Sequence, residues 1–559
     1  MSKIKISALG GMGENGKNMF IVEVDERIFI LDAGLKYPSI DMYGIDAIVP
    51  NIDYLINNKD RIEGIFISHG HEDHIGALPY ILENINVRVY ATHFTISLIE
   101  SLLQLNKMNK SRYKLYRIND NKTLTFGKVK VSFFNTTHSI PESVGIIIST
   151  VDGNIIYAPD FHFGIEKNQK YLTSFDKINK GDKNGTLAVL AESIGISSID
   201  RSTNDLLFEH AFKNILDRNT HRIFVSLFST DLSRIQKVID MSLEKNRKIA
   251  VMGRKGEEII DIAIKSEYLK IPEEAYQLFR PYDDKHRNEF DNLVVLVLGM
   301  RNEPYNILTR ICNNKDRFIR FTDKDQVVFI SDPIPGTLKT YIDTMDELYR
   351  KNVEVEVISK KKLRTTHATS EDLFLLYSMT KPKYLYPIIG EYRHLKRHQE
   401  LLKSFGYSDE QIIMIDNGIV SEINDGIIDK NIDNNLIPSG DEYVDGSLIG
   451  NVSTELISER ERLAGEGIIV IVGYLDKRRR QMVGTPIITT KGFVHTTSVE
   501  NFNNTISEFF LRMMKNALSK ATYDKEQVIK SLSEEISKIV FRLSKKRPAI
   551  LPVIVNIKK

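Results

Sequence analysis

The chain has 559 residues, a length that predicts two to four domains because hydrophobic cores stop growing well below that size. Hydrophobic residues make up 42% and charged residues 27%, as in a typical globular protein, and the net charge of only +2 excludes general basicity as a source of nucleic-acid affinity. The single cysteine, Cys312, excludes an intrachain disulfide. Because no membrane-length apolar run or signal peptide is evident, we expect a cytoplasmic protein without a membrane partner.

The first 35 residues predict three short strands separated by tight turns. The apolar runs fall at residues 4–8, 19–24 and 28–31. Residues 10–16 are dense in glycine and resemble a phosphate-binding loop. Because no helix-compatible apolar run follows them, we interpret this turn as a tight crossing of the backbone. Asp32 ends the third strand, where a carboxylate can orient metal ligands.

Residues 68–76 contain the densest group of potential metal ligands. His69, His71, Asp73 and His74 follow the strand-like run 64–67, and the apolar residues after them recur at helical spacing. Such a mixed nitrogen and oxygen set suits zinc or manganese ions that keep open positions. The alternative is a solvated polar turn, but the whole chain has only 13 histidines and three lie here. We therefore predict a hydrolytic metal centre.

Two further candidate ligands follow predicted strands. His138 follows the run 129–134, and Asp160 follows the run 154–158. Active sites of α/β sheets collect at such strand ends, and a carboxylate can bridge two metal ions. Either residue alone is more often a capping or surface group. After the motif at 69–74, we interpret both as ligands.

Later segments predict a second α/β unit and a small third domain. Strand-like runs at 222–227, 248–252, 293–298 and 326–330 alternate with helical patterns up to about residue 370. Residues 424–445 are rich in Asn, Asp and Gly and predict a loop or linker. Strands at 468–473 and 481–488 and helices at 498–517 and 524–542 then predict an α+β domain.

The succession of Asp32, the 69–74 motif, His138 and Asp160 resembles the metallo-β-lactamase fold. The sequence is most similar to the ribonuclease J family of the β-CASP branch. The similar segments are residues 9–18, 68–76, 133–141, 333–336, 387–393, 467–472 and 546–548. The resemblance implies an α/β protein: a metallo-β-lactamase αββα sandwich with an inserted β-CASP domain and a small C-terminal α+β domain. The expected boundaries are 1–204 and 371–445 for the sandwich and linker, 205–370 for the insert and 446–559 for the C-terminal domain.

The resemblance also implies RNA cleavage with two divalent ions, with zinc preferred over manganese or magnesium. His69, His71 and His138 would hold one ion, Asp73 and His74 the second, and Asp160 would bridge them. The implied catalytic residues are Asp73, Glu192 and His367, the last to stabilise charge or protonate the leaving oxygen. The residues expected to contact RNA are Thr230, Arg234, Arg364, Thr365, Thr366 and His367.

Several positions depart from the family pattern. Ile389 stands where the family has a histidine that completes the second metal site, and Leu363 replaces a phosphate-pocket histidine. Pro159 replaces a glycine, and residues 298–304 and 364–369 have lost family motifs. These changes leave two alternatives open. One is an active or attenuated nuclease, endonucleolytic, 5′-to-3′ exonucleolytic or both, whose second ion is weak or absent; the other is a largely non-catalytic RNA-binding partner of an active paralogue.

Other features bear on partners and on rival functions. Basic clusters at 393–398, 477–480 and 545–547 are compatible with a phosphate backbone, although each alone is more often a solvated face. Apolar residues on the helix 498–517 and in the run 550–555 suggest a homodimer, tetramer or heteromer with a paralogue, or simply a core. A thioester or lactone hydrolase is a rival reading of the ligand motif, disfavoured by the two extra domains.

Overall fold

A computed structural model describes most of the chain, namely residues 2–39, 42–164, 171–178, 185–197, 205–276, 292–331, 333–334, 336–363, 365–429, 435–446, 448–449, 452–493, 498–520 and 523–557. The chain divides into two compact units. The first comprises Met1–Tyr37 and Ile48–Glu442, and the second comprises Pro38–Ala47 and Tyr443–Lys559.

The strands are β1 (Lys3–Gly10), β2 (Met12–Gly13), β3 (Met19–Val24), β4 (Arg27–Leu31), β5 (Ala47–Pro50), β6 (Ile62–Phe66), β7 (Arg88–Ala91), β8 (Lys114–Arg117), β9 (Thr123–Phe126), β10 (Val129–Asn135), β11 (Val144–Thr150), β12 (Gly153–Ala158), β13 (Thr186–Glu192), β14 (Ile223–Phe228), β15 (Lys248–Met252), β16 (Leu293–Gly299), β17 (Gln326–Phe329), β18 (Glu354–Val357), β19 (Tyr384–Ile388), β20 (Gly390–Glu391), β21 (Val420–Asn424), β22 (Ile427–Ile428), β23 (Asp441–Asp445), β24 (Leu448–Ile449), β25 (Ile468–Asp476), β26 (Gln481–Lys491) and β27 (Ala549–Ile557).

The helices are α1 (Asp53–Asn57), α2 (Glu72–Ile75), α3 (Leu78–Asn84), α4 (His93–Leu105), α5 (Phe175–Ile178), α6 (Leu206–Arg218), α7 (Leu232–Glu244), α8 (Arg254–Lys265), α9 (Glu303–Cys312), α10 (Leu338–Arg350), α11 (Ser370–Thr380), α12 (Tyr392–Ser404), α13 (Thr454–Glu466), α14 (Val499–Leu518) and α15 (Lys525–Ser544). Within the described ranges, none of these helices is both long and apolar enough to cross a membrane.

Two mixed sheets form the sandwich of the first unit. One has the order β22-β21-β1-β3-β4-β6-β7-β8 and the other β19-β13-β12-β11-β10-β9. Apolar side chains of both sheets, among them Phe20, Phe66, Phe133 and Tyr157, share one buried cluster. Helices α11 and α12 pack on the outer face of the second sheet. The predicted layered α/β sandwich is therefore confirmed.

A second domain is inserted between two neighbouring strands of the sandwich. Strands β13 and β19 pair in parallel, with Glu192 opposite Ile388, although a long stretch of chain separates them. Within that stretch lies a five-stranded parallel sheet of order β15-β16-β14-β17-β18, with helices α6 to α10 around it. Its inner strands are apolar at nearly every position, as parallel strands covered on both faces must be.

The glycine-rich turn at 10–16 is a tight backbone crossing, as predicted. A Cβ on Gly10 would lie 2.0 Å from the carbonyl oxygen of Lys17, and Gly11 has a φ of +92°. The next pass of the chain is tighter still, because a Cβ on Gly34 would lie 1.6 Å from the carbonyl oxygen of Asp73. These crossings press the turn against the segment that carries the candidate ligands.

The prediction of a loop throughout 424–445 is wrong at three places, because Asn424 ends a strand and Ile427–Ile428 and Asp441–Asp445 are strands. Residues 430–434 lie outside the described residues. The polar residues of the strand Asp441–Asp445 bind residues that are distant in sequence. Asp441 forms an ion pair with buried Lys17, and Glu442 accepts a hydrogen bond from Asn51. Such contacts can hold a polar segment in an extended conformation even though its sequence does not alternate between apolar and polar residues.

The second unit contains a small sheet of order β26-β25-β27 with one covered face. Ile469 and Ile471 on that face pack against Phe510 and Met514 of α14 and against residues of α15. The opposite face carries apolar side chains that are largely exposed, among them Ile487 at 53% and Leu551 at 48%. The predicted apolar cluster on this helix is thus partly core, since Phe510 and Met514 are fully buried.

Candidate metal centre

Six candidate ligands lie close together at the strand ends of the sandwich. His69 follows β6, His138 follows β10 and Asp160 follows β12. His71 precedes the first turn of α2, and that turn carries Asp73 and His74. Residues that are distant in sequence thus converge at one edge of the two sheets.

The first ligand group has the spacing that one metal ion requires. The Nε2 atom of His69 lies 3.0 Å from Nδ1 of His71, which lies 3.2 Å from Nε2 of His138. Asp160 Oδ2 lies 3.4 Å from the His69 Nε2 atom and 3.6 Å from that of His138. Ligand atoms that share an ion at about 2.1 Å are separated by about 3.0–3.4 Å. The four residues therefore fit a single divalent ion.

Electrostatics also favour a cation at this group. Burial lowers the pKa of His71 well below its ordinary value, and the neighbouring imidazoles of His69 and His138 lower it further. Burial likewise lowers the pKa of His138. A neutral imidazole can offer a nitrogen lone pair to a cation, and here the facing ring nitrogens lie 3.0 and 3.2 Å apart. The group is therefore suited to a shared cation.

The second ligand group uses the same oxygen of Asp160. Nε2 of His74 lies 3.5 Å from Asp160 Oδ2 and 3.5 Å from Asp73 Oδ2. Burial alone would lower the pKa of His74, but Asp73, Asp32 and Asp160 raise it well above its ordinary value. The same negative field attracts a metal ion. The position of Asp160 Oδ2 between the two groups is what a bridging carboxylate requires.

Asp32 orients the second group from behind. Its Oδ2 atom accepts hydrogen bonds from the Tyr157 hydroxyl at 2.7 Å, from Ser68 Oγ at 2.8 Å and from His74 Nδ1 at 2.8 Å. Its Oδ1 atom accepts from the backbone N–H of Ser68 at 2.7 Å. Because Nδ1 of His74 donates to Asp32, Nε2 is directed at the ligand group.

Glu192 and His367 form a pair at the edge of the cluster. Nδ1 of His367 lies 2.8 Å from Glu192 Oε2 and 3.6 Å from Asp160 Oδ1. Glu192 Oε1 accepts hydrogen bonds from the backbone N–H groups of Phe161 and Ala368. Burial raises the pKa of Glu192 to about 7, and the carboxylates of Glu192 and Asp160 outweigh burial and raise the pKa of His367 well above its ordinary value. Glu192 thus contacts His367 outside the first ligand group, and the two residues form with Asp160 a separate set whose ligand atoms all lie within 4.8 Å of one another.

Among the residues predicted to contact RNA, Thr366 contacts the cluster, and Thr230 and Arg234 belong to a segment that is hydrogen-bonded next to His138. The carbonyl of Thr366 accepts a hydrogen bond from His138 Nδ1 at 2.7 Å, and the half-buried Thr365 precedes it. Thr230 and Arg234 lie at the start of α7, where Arg234 pairs with Asp231 at 2.7 Å. The neighbouring Ser233 N–H donates to the carbonyl next to His138, that of Ser139. Arg364 lies outside the described residues.

The position of the missing histidine has an unusual backbone. Ile389 is fully buried and has a φ of +54°, a conformation that β-branched residues rarely adopt. The other histidines do not replace it: both ring nitrogens of His398 lie 2.9 Å from hydroxyls, those of Ser193 and Tyr377. Among the described residues, the groups of side chains close enough to share an ion are His69, His71, His138 and Asp160, and Asp160, Glu192 and His367; His162 and His394 belong to neither, and nor do Asp73 and His74.

Sequence reasoning missed three residues that the structure places at the site. Ser68 and Tyr157 bind Asp32, and Asn18 contacts both Asp73 and His74. Serine, tyrosine and asparagine are common throughout the chain, so their type indicates nothing. For Asn18 the available indication was its place at the end of the glycine-rich turn.

This fold and site define a metallo-hydrolase of the β-lactamase superfamily that carries an inserted α/β domain. Residues 38–178 match the beta-lactamase superfamily domain, and residues 365–414 match the Zn-dependent metallo-hydrolase RNA specificity domain. Residues 220–348 match the Ribonuclease J beta-CASP domain, and residues 455–557 match the Ribonuclease J C-terminal domain.

Whole-chain relatives agree with these matches. The chain is 32% identical to Ribonuclease J 2 of Streptococcus pyogenes serotype M3 over 559 residues, which is 100% of both chains. It is 31% identical to Ribonuclease J 2 of Staphylococcus aureus, covering 99% of this chain and 98% of the relative. A crystal structure of a protein of unknown function from Enterococcus faecalis V583 shares the fold, with 15% identity and a TM-score of 0.53 over 75% of this chain and 99% of that one. The chain belongs to the ribonuclease J family.

Proposed function

We propose that this protein is a metal-dependent ribonuclease that hydrolyses phosphodiester bonds in RNA processing and decay in the cytoplasm. The observation that carries the proposal is the convergence of six ligand residues on two groups that share Asp160 Oδ2. Family membership supports a ribonuclease role, a divalent metal and RNA binding. We also propose the domain boundaries 1–204 with 371–445, 205–370 and 446–559, for which the interrupted pair β13 and β19 is the main support.

His69, His71 and His138 would hold one ion, and Asp73 and His74 the second, with Asp160 common to both. Zinc is the preferred ion, since neutral imidazoles and carboxylates suit it, and manganese is the alternative. When bound, the ions supply Lewis acidity, which neutralises negative charge on phosphate and makes water more acidic. The protein's part is to fix the donor atoms, and Asp32 does this for His74.

His367 is the proposed proton donor to the leaving oxygen. The carboxylates of Glu192 and Asp160 raise its pKa, and Glu192 occupies Nδ1, which leaves Nε2 to meet the substrate. Glu192 is then a positioning residue. The residues proposed to bind RNA near His367 are Thr230, Arg234, Arg364, Thr365 and Thr366. The RNA would be cut at internal positions, from its 5′ end, or both.

The direct test is cleavage of 5′-monophosphorylated RNA by the purified chain with zinc or manganese. The wild type is expected to cleave, and the double variant H71A/D73A is expected to lose activity because both ligand groups lose a member. Product lengths on a uniquely labelled RNA separate endonucleolytic from exonucleolytic cleavage. Equal residual cleavage by the wild type and the double variant would refute catalysis at this centre.

A second candidate function is favoured by Ile389. An isoleucine cannot bind a metal ion, so the second group has lost the ligand that its family provides at this position. A largely non-catalytic RNA-binding subunit of an active paralogue is consistent with that loss. Metal content per chain separates the two, because two tightly held ions favour the enzyme and one or none favours the subunit.

We also propose that the chain forms a homodimer or tetramer, or a heteromer with a paralogue, through its C-terminal sheet. The exposed face of this sheet carries Val483 at 40%, Ile487 at 53%, Leu551 at 48% and Val555 at 38% exposure. A contiguous apolar face of this kind is typical of protein interfaces. In sedimentation velocity, the full chain should run as an oligomer, whereas the variant I487E/L551E should dissociate. Monomeric wild type at micromolar concentration, without a paralogue, would contradict the homo-oligomer.

A further inference from the structure

Asn18 lies directly against the second ligand group. Its Nδ2 atom is 3.0 Å from His74 Nε2 and 3.1 Å from Asp73 Oδ2. The residue is fully buried, and within the described part of the chain its Oδ1 atom has no hydrogen-bond partner. Its backbone N–H donates to the carbonyl of Asp73 at 3.1 Å, and its carbonyl accepts from Gly34 at 2.9 Å. The backbone therefore fixes Asn18 to the segment that carries Asp73.

The terminal amide atom of Asn18 occupies the place of a ligand atom. With His74 Nε2 and Asp73 Oδ2 it forms a triangle with edges of 3.0, 3.1 and 3.5 Å. This is the range found in the first ligand group, and it matches the separation of about 3.0–3.4 Å between atoms that share one ion.

The glycine-rich turn pairs with the segment that contains the substituted position 389. Ile389 offers only a hydrocarbon side chain, and the next residue, Gly390, pairs with Met12 of the glycine-rich turn. That turn ends at Asn18. The chain segment that pairs beside position 389 therefore leads within a few residues to Asn18.

An asparagine side chain can serve this group in two orientations. Without an ion, its N–H donates to the Asp73 carboxylate, as the 3.1 Å contact indicates. A cation repels that N–H group, and a half-turn about the Cβ–Cγ bond exchanges Nδ2 for Oδ1. Amide oxygens are established protein ligands for hard divalent ions. We propose that Asn18 supplies an amide oxygen to the second metal ion, in place of the ligand missing at residue 389.

This inference rests on the metal centre proposed above, and its test measures ion binding without RNA. The chelator-stripped full-length chain is titrated with Mn²⁺ by calorimetry, and bound manganese is counted by mass spectrometry after desalting. The wild type should hold two ions. N18A should lose the second or bind it about tenfold more weakly or worse. N18D, whose carboxylate is a stronger ligand of the same shape, should bind it more tightly than N18A does.

A matched control uses an asparagine from a distant segment that contacts the same turn. Asn417 donates to Glu14 at 2.8 Å and accepts from the Met12 N–H, yet contacts neither Asp73 nor His74. N417A should therefore bind manganese as the wild type does. Melting curves of the metal-free proteins check that each variant folds. If repulsion between the carboxylates of Asp73 and the new aspartate prevents N18D from folding, N18S takes its place. N18S should then bind the second ion as weakly as N18A does.

The outcomes distinguish the role of Asn18 from the existence of the metal centre. N18A that binds the same number of ions with unchanged affinity overturns the role of Asn18 while leaving the metal centre intact. N18D that is no better than N18A shows that the amide acts only as a donor, which also overturns it. A wild-type chain that binds no manganese overturns the metal centre itself.

Discussion

Replacement of Asp32 by asparagine should disrupt the second ligand group without altering the backbone. Asp32 has a φ of +61°, a left-handed conformation that asparagine tolerates as well as aspartate does. The variant D32N therefore isolates the carboxylate. Its two oxygens accept four hydrogen bonds, three at Oδ2 and one at Oδ1, over distances of 2.7–2.8 Å.

The loss of unfolding free energy in D32N follows from the arrangement of these four donors. An amide has one oxygen, so in its better orientation the –NH2 group faces the N–H of Ser68 at the 2.7 Å contact. One hydrogen bond to a charged acceptor is lost, at about 1.5–3 kcal/mol, and a buried donor is left unpaired, at about 1–3 kcal/mol. The expected destabilisation of the metal-free chain is therefore about 2.5–6 kcal/mol. Loss of the charge that orients His74 should also weaken the second ion by about 10–100-fold.

Urea unfolding followed by circular dichroism suits this test, because the chain has no tryptophan. Manganese titration of the folded variant provides the second readout. Y157F is the matched control: it removes one of the three donors to the same oxygen and leaves the carboxylate, so it should cost about 1–2 kcal/mol and leave ion affinity nearly unchanged. If D32N is within 1 kcal/mol of the wild type and binds manganese equally well, the assigned role of Asp32 is wrong.

Three further predictions concern individual side chains. I389H should raise the affinity for the second manganese ion about tenfold or more in calorimetry. An unchanged affinity would show that Ile389 is not the cause of weak binding of the second ion. E192Q should lower kcat with little change in KM, because it weakens the hold on His367 at 2.8 Å, and a change confined to KM would contradict this. Burial lowers the pKa of His398 to about 3, so the unfolded chain binds more protons between pH 3 and about 6.5 and stability falls as the pH falls. H398Q should flatten that slope in acid-induced unfolding of the chelated chain, and an unchanged slope would contradict the assignment.

The sequence predicted most strands and the main ligands because both leave local patterns. The run at 19–24 appears as a strand with the same limits, and the predicted strand 248–252 is also unchanged. Three histidines within six residues are rare enough to indicate a metal site by themselves. The parts predicted well are those in which neighbouring residues carry the information.

The remainder depended on contacts between distant segments. The strand at Asp441–Asp445 was missed because its partners, such as Lys17, lie at the other end of the sequence. The role of Tyr157 depends on Asp32, and no periodicity links the two residues. The left-handed backbone at Ile389 was equally invisible, since isoleucine is a residue that predicts extended structure.

Removal and restoration of metal test the central claim most directly. The purified full-length chain is stripped with a chelator, assayed on 5′-monophosphorylated RNA, and assayed again after manganese or zinc is restored. The account predicts that cleavage disappears on stripping and returns with the ion in the wild type, and that it returns in neither H71A/D73A nor H138A. Cleavage that survives stripping, or that returns equally in these variants, would show that the activity does not depend on this centre.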